Sequence, residues 1–121
     1  MSEPRFYHHP TLAELAAALR EGRTSSRALT DEALARIADP AGEGQRAFLK
    51  VYAEQARAAA AAQDGLRTAG VAGGKLAGIP ISIKDLFDVA GEPTTAGSIA
   101  LRDAPPARHD APIVARLASE R

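Results

Sequence analysis

The chain has 121 residues, with 15 Lys+Arg against 15 Asp+Glu; that length allows one domain, and zero net charge excludes the cationic footprint of a nucleic-acid or anionic-membrane binder. Apolar residues make up 45 % but aromatics only 4 %; much of the share is alanine, which buries little area, so hydrophobic stabilisation per residue is modest. No Cys is present, which excludes disulfides, a thiolate nucleophile and Cys-based metal sites and agrees with a reducing cytoplasm.

Met1 to Phe6 lacks the basic flank and apolar run of a secretory signal, and no apolar stretch approaches the roughly 20 residues that span a bilayer. Thr11 and Glu14 have capping-box spacing, and Leu12, Leu15, Ala16 and Leu19 share one face until Gly22; this predicts a helix over about 11–21. A second helix is expected after Ser25 and Ser26, with Leu29, Ala33 and Ile37 a turn apart and Pro40 closing it. Together the two read as a helical hairpin. Ala41 to Gly44 reads as a flexible loop, and Phe48 to Tyr52 as a short strand or the start of a helix. From Ala53 to about Ala69 the alanine-rich composition predicts a surface helix ending at Gly70.

After the glycine-rich link Gly70 to Gly74, Ile79, Ile81 and Ile83 alternate with Pro80, Ser82 and Lys84, the pattern of one clear strand at about 79–84. Pro80 donates no ladder bond, which suits a strand start or an edge. Gly91 to Ser98 is a loop by composition. Asp110 is expected to cap a last helix with Pro112 in its first turn and Val114, Leu117 and Ala118 on one face, running to Arg121 without a C-cap. A single strand leaves both edges unpaired. The expectation is the opening part of something larger, or an oligomer that pairs strands between copies.

His8, His9 and His109 show no metal-ligand spacing with Asp or Glu and read as surface residues, with no metal expected. Gly70 to Lys75 fails as a phosphate-binding loop, because Ala69 stands where glycine is needed and Leu76 where a hydroxyl is needed. Ser82 and Lys84 are neighbours on one strand face, but SxK is not the SxxK of penicillin-recognising enzymes.

The whole string Gly78-Ile79-Pro80-Ile81-Ser82-Ile83-Lys84-Asp85, the loop Gly91 to Ser98 with Thr94, Thr95, Gly97 and Ser98, and the helix Asp110-Ala111-Pro112-Ile113-Val114-Ala115-Arg116-Leu117 closely resemble the amidase signature family in order and spacing. The upstream helical pair, with Leu12, Glu14, Leu15, Leu19, Gly22, Thr24 and Ser25, and the alanine-rich helix agree with it. The resemblance covers about residues 11–118. It implies an α/β fold, residues 1–121 being the N-terminal part of a single amidase-signature α/β/α domain, mostly helices with the strand at 79–84.

The resemblance also implies amide hydrolysis by a Ser-cisSer-Lys triad acting on non-peptide C–N bonds, without a cofactor, on a small-molecule amide substrate. Lys84 matches the family's lysine base, and Ser98 is the candidate for substrate contact. A lysine base at neutral pH must drop roughly 3 units from about 10.4; desolvation favours that and a nearby carboxylate opposes it. Asp85 is turned by strand alternation to the other face, so it is expected to hold the backbone or the turn. Ser82, Ser98 and Ser119 do not match the family's Gly/Ser-rich serine motifs. The chain alone is therefore expected to be inactive, through truncation or as half of a split enzyme with a complementing serine-containing half. A fragment of the A subunit of a tRNA-dependent amidotransferase and a non-catalytic helical interaction module are the alternatives.

Overall fold

The structure, a computed structural model, describes residues 9–71 and 73–120; Met1 to Phe6, His8, Ala72 and Arg121 lie outside them. Helix α1 (Leu12–Arg20) opens on the expected capping box. The Thr11 hydroxyl accepts from the Glu14 amide at 3.2 Å, and the Glu14 carboxylate accepts from the Thr11 amide at 2.6 Å, so two orphan donors of the first turn are satisfied. Gly22, at φ +70°, ends it: the amides of Arg23 and Gly22 donate to the carbonyls of Ala18 and Leu19, the paired bonds of a Schellman motif. Helix α4 (Ala53–Thr68) ends the same way at Gly70, φ +76°, with Val71 and Gly70 donating to Leu66 and Arg67.

Helix α2 (Ser26–Ala38) is capped by the Ser25 hydroxyl, which accepts from the Ala28 amide at 3.0 Å. Its main partner is α4. The expected α1–α2 hairpin is thus replaced by an α2–α4 pair, because α4 carries the polar groups that α2 needs. The Asp64 carboxylate on α4 accepts from the amides of Ser26 at 2.8 Å and Arg27 at 2.9 Å, a second N-terminal cap delivered from a distant helix. Arg67 donates to Asp64 at 2.8 Å and to the Ala77 carbonyl at 3.3 Å. Farther along the pair, Asp31 bridges Arg57 of α4 at 2.8 Å and Arg27 of its own helix at 2.7 Å.

Residues 41–43 form an irregular turn, in line with the loop expected over Ala41 to Gly44, and helix α3 (Gly44–Ala47) follows as a single turn that packs on α2. A Cβ on Gly44 would lie 2.1 Å from the Ile37 carbonyl oxygen and 2.5 Å from its Cα, so only glycine lets the two backbones meet. Residues 48–52 are neither strand nor helix and lead irregularly into α4.

The expected strand at 79–84 is corrected: no strand occurs among the described residues. The isoleucine alternation has the period of a strand, but a ladder needs a second backbone, and the amides of residues 81–84 find no acceptor among the described residues. Ile81 is 53 % exposed and Ile83 42 %. Helix α5 (Pro112–Ser119) has Pro112 in its first turn and buries Val114, as the apolar spacing predicts. Its N-cap is Ala111, without a side-chain bond. Asp110 is spent elsewhere, accepting from the Ala90 amide at 2.7 Å. The helix closes before Arg121, with the Glu120 amide donating to Leu117.

Candidate functional site

The segment carrying Lys84 is fixed at both ends. On its N-terminal side Gly78 has φ +84°, and a Cβ there would lie 2.0 Å from the Ser26 hydroxyl and 2.9 Å from the Arg67 guanidinium. Ser26 has no exposed surface, so its hydroxyl cannot retreat. The lysine segment therefore leaves the α2–α4 seam at a point where only glycine fits. On its C-terminal side the Lys84 carbonyl accepts from Leu86 at 2.7 Å and from Phe87 at 3.1 Å, a tight turn directly after the lysine. The Lys84 side chain is exposed, and among the described residues it has no ion pair.

Asp85 reaches ten residues along the chain to the loop that follows. One carboxylate oxygen accepts from the Thr95 amide at 2.9 Å; the other accepts from the Thr95 hydroxyl and, at 3.3 Å, from the Gly97 amide. The Thr95 hydroxyl, then its amide, with the amides of Gly97 and Ala96 adding to them, hold the Asp85 carboxyl below the ordinary aspartate range. The turn it grips has Ala96 at φ 51° and Gly97 at φ 70°, closed by the Ser98 amide on the Thr95 carbonyl at 2.8 Å. Two successive positive φ values with that bond define a type I′ turn. For Ala96, which carries a Cβ, this conformation costs about 1–2 kcal/mol.

Ser98 follows immediately, at the N-cap of a 3-10 turn (Ile99–Leu101), exposed and with its hydroxyl unpartnered among the described residues. The structure thus brings Lys84 and Ser98 to the two ends of the Asp85 clasp, without a hydrogen bond between them. The loop has further ties. The Thr94 hydroxyl donates to Asp88 at 2.6 Å. The Gly91 amide donates to the Ala107 carbonyl and the Ala107 amide to the Glu92 carbonyl, both at 2.9 Å, and Ala111 donates to the Asp88 carbonyl at 2.8 Å. Glu92 pairs with Lys50 at 2.5 Å, whose ammonium stands 5.1 Å from the Tyr52 ring centre. The Lys50 ammonium, more than the Tyr52 hydroxyl, keeps the Glu92 carboxyl low, while burial opposes it.

An open groove of about 680 Å³ runs between α2, residues 48–52 and the first half of the lysine segment, lined by Leu29, Ala33, Ile37, Phe48, Tyr52 and Ile81 among others. Lys84 is not in its wall, so the groove and the lysine are separate features. Among the described residues no group of three His, Cys, Asp or Glu could hold a metal ion, and His8 lies outside them. The residues that sequence reasoning passes over are Thr95 and Gly97 as donors to Asp85. The turn-forming composition of 91–98 marks a loop, but nothing local pairs it with a carboxylate ten residues earlier.

The family model described as Amidase matches residues 28–120. The chain belongs to the amidase signature family. It is 47 % identical over 113 residues to the A subunit of the glutamyl-tRNA(Gln) amidotransferase of Halorhodospira halophila, covering 92 % of this chain and 22 % of that protein. To the AtzE component of the 1-carboxybiuret hydrolase of a Pseudomonas species it is 45 % identical over 105 residues, covering 86 % and 22 %. The chain spans about a fifth of the length of these relatives, 22 % in each case. Among solved structures it is similar to the peptide amidase of Stenotrophomonas maltophilia, with a TM-score of 0.78, 34 % identity, and coverage of 97 % of this chain and 24 % of that one. The helices described above are thus part of an amidase-signature α/β fold. No helix among the described residues is long and apolar enough to cross a membrane.

Proposed function

We propose that the chain supplies the lysine of a Ser-cisSer-Lys amide-cleaving site, with Lys84 as the base. The observation that carries this reading is the position of Lys84 in Gly78-Ile79-Pro80-Ile81-Ser82-Ile83-Lys84-Asp85, on a segment held by a glycine contact before it and a carboxylate clasp after it. In such a site the lysine amine takes a proton from the cis-peptide serine, which takes one from the nucleophilic serine. That serine forms a bond to the amide carbon, the C–N bond breaks, and the amine leaves with the relayed proton; water then releases the acid and regenerates the serine. Both serines belong to motifs that no serine of this chain matches, so the site is completed by a serine-bearing portion.

The test is complementation. Co-expression of the chain with the serine-bearing remainder of the Stenotrophomonas maltophilia peptide amidase should yield amidase activity, and Lys84→Ala should abolish it. Activity that survives Lys84→Ala removes the base assignment. The name of the Halorhodospira halophila relative favours a second reading, that the parent site releases ammonia from glutamine for a partner protein. Glutaminase activity that depends on an added amidotransferase partner would select it, and activity on simple amides without one would select the first.

A further inference from the structure

The carboxylate next to Lys84 does more than close a loop. Its two oxygens accept from the Thr95 amide, the Thr95 hydroxyl and the Gly97 amide, successive donors forming a concave cradle for an anion. The cradle is filled by the chain's own Asp85. A β-turn with a non-glycine residue in the left-handed region persists where its surroundings over-determine it, and here Asp85 does so for Ala96 at φ 51°. The Ser98 amide is consumed inside the turn, which leaves the exposed Ser98 hydroxyl as the group the turn presents. Asp85 is one peptide from Lys84, so the turn and the lysine share a short, bonded frame.

We propose that Asp85 is a positioning residue, whose grip on the 95–97 turn fixes where Ser98 stands relative to Lys84 and so fixes the substrate side of the amide-cleaving site. This rests on the reading of Lys84 as the base. With its oxygens engaged by the turn, Asp85 is held away from an ion pair with the lysine, a pairing that would favour the charged and unreactive form.

The experiment uses the isotope-labelled full chain and its complemented enzyme. Asp85→Asn keeps the shape but turns an NH2 toward amide donors, and should speed hydrogen exchange at Thr95 and Gly97 about tenfold while α2 and α4 amides stay unchanged. Thr95→Ser should retain protection and Thr95→Val should lose it. Residual dipolar couplings of the Lys84 and Ser98 amides should report one fixed relative orientation in the parent chain and a scattered one in Asp85→Asn. In the complemented enzyme Asp85→Asn should raise KM about tenfold with kcat within about twofold, whereas a merely structural role lowers the active fraction, and so kcat, at constant KM. Unchanged exchange, unchanged couplings, or a fall in kcat alone overturns the proposal. Should Lys84→Ala keep its activity, or complementation yield none, the base reading fails, and the exchange and coupling data still decide the role of Asp85 in fixing the turn.

Discussion

In residues 12–78 the chain is fixed by close contacts around α2: Gly44 lies against the Ile37 backbone, Gly78 against the buried Ser26 hydroxyl, and the Asp64 side chain plugs the start of α2 from the side of α4. In residues 79–111 the fixing groups are carboxylates reaching across loops, Asp85 to Thr95, Asp88 to Thr94 and Asp110 to Ala90. That second region leaves Ile81, Ile83, Leu86, Phe87, Ile99 and Leu101 more than a third exposed. Burying one such side chain fully is worth about 1.5–3 kcal/mol, so the loops forgo what the helices also have little of, an apolar core. The contrast shows that polar anchors can hold a loop where hydrophobic burial does not.

Glycine substitutions break that contrast most sharply. Gly44→Ala sets a Cβ against backbone atoms that no rotamer change relieves, and Gly78→Ala adds a left-handed φ to a collision with a buried hydroxyl. Each should cost about 3 kcal/mol or more, read as a lower urea midpoint in circular dichroism. Gly91→Ala, in the second region, meets open space at φ +85°, and should cost only about 1 kcal/mol. Equal losses at all three positions would erase the distinction between the regions.

Asp64→Asn comes next. It leaves the Ser26 and Arg27 amides poorly satisfied and Arg67 without its ion-pair partner, for a loss of about 2 kcal/mol. Amide exchange should rise in the first turn of α2 and leave the 95–97 turn alone.

Acid titration gives the finest comparison. Burial pushes the Asp64 carboxyl up, but the Arg27 and Ser26 amides, the Ser26 hydroxyl and the Arg67 charge outweigh it and hold the group low; Asp85 is held low by Thr95 first. The unfolded chain therefore binds protons more readily than the folded one. Stability from both groups is complete above the ordinary aspartate value of about 3.9 and is lost as pH falls through the lower folded values. Exchange measured from pH 5 downward should show the α2 cap and the 95–97 turn loosening below pH about 4. In Asp64→Asn the acid response of α2 should flatten while that of the turn persists.

The local signals are legible in the sequence: the Thr11–Glu14 box, the glycine stops at 22 and 70, and the buried Val114 face all follow from spacing within a few residues. What is not legible depends on long-range company. Asp64 looks like any polar residue on an alanine-rich helix, and Gly44 like a loop glycine, until α2 lies beside them. Asp110 has the chemistry of a helix cap but meets the Ala90 amide first, and the isoleucine alternation has no second backbone to pair with. Lys84 stands out through the ordered string of motifs around it, since a lone exposed lysine carries no chemical signal; the turn that Asp85 grips becomes visible only in three dimensions.

The Asp64 contact also has a meaning in time. The cap it places on α2 closes a loop of chain from residue 26 to residue 64, so it forms only after that span has been ordered at an entropic cost. Early in folding, α2 has Ser25 alone to begin it. Its first turn becomes secure when α4 arrives, so the birth of the helix and the docking of its neighbour are a single event. A change at Asp64 should accordingly slow refolding as well as hasten unfolding, in proportion to how much of that docking the transition state has completed.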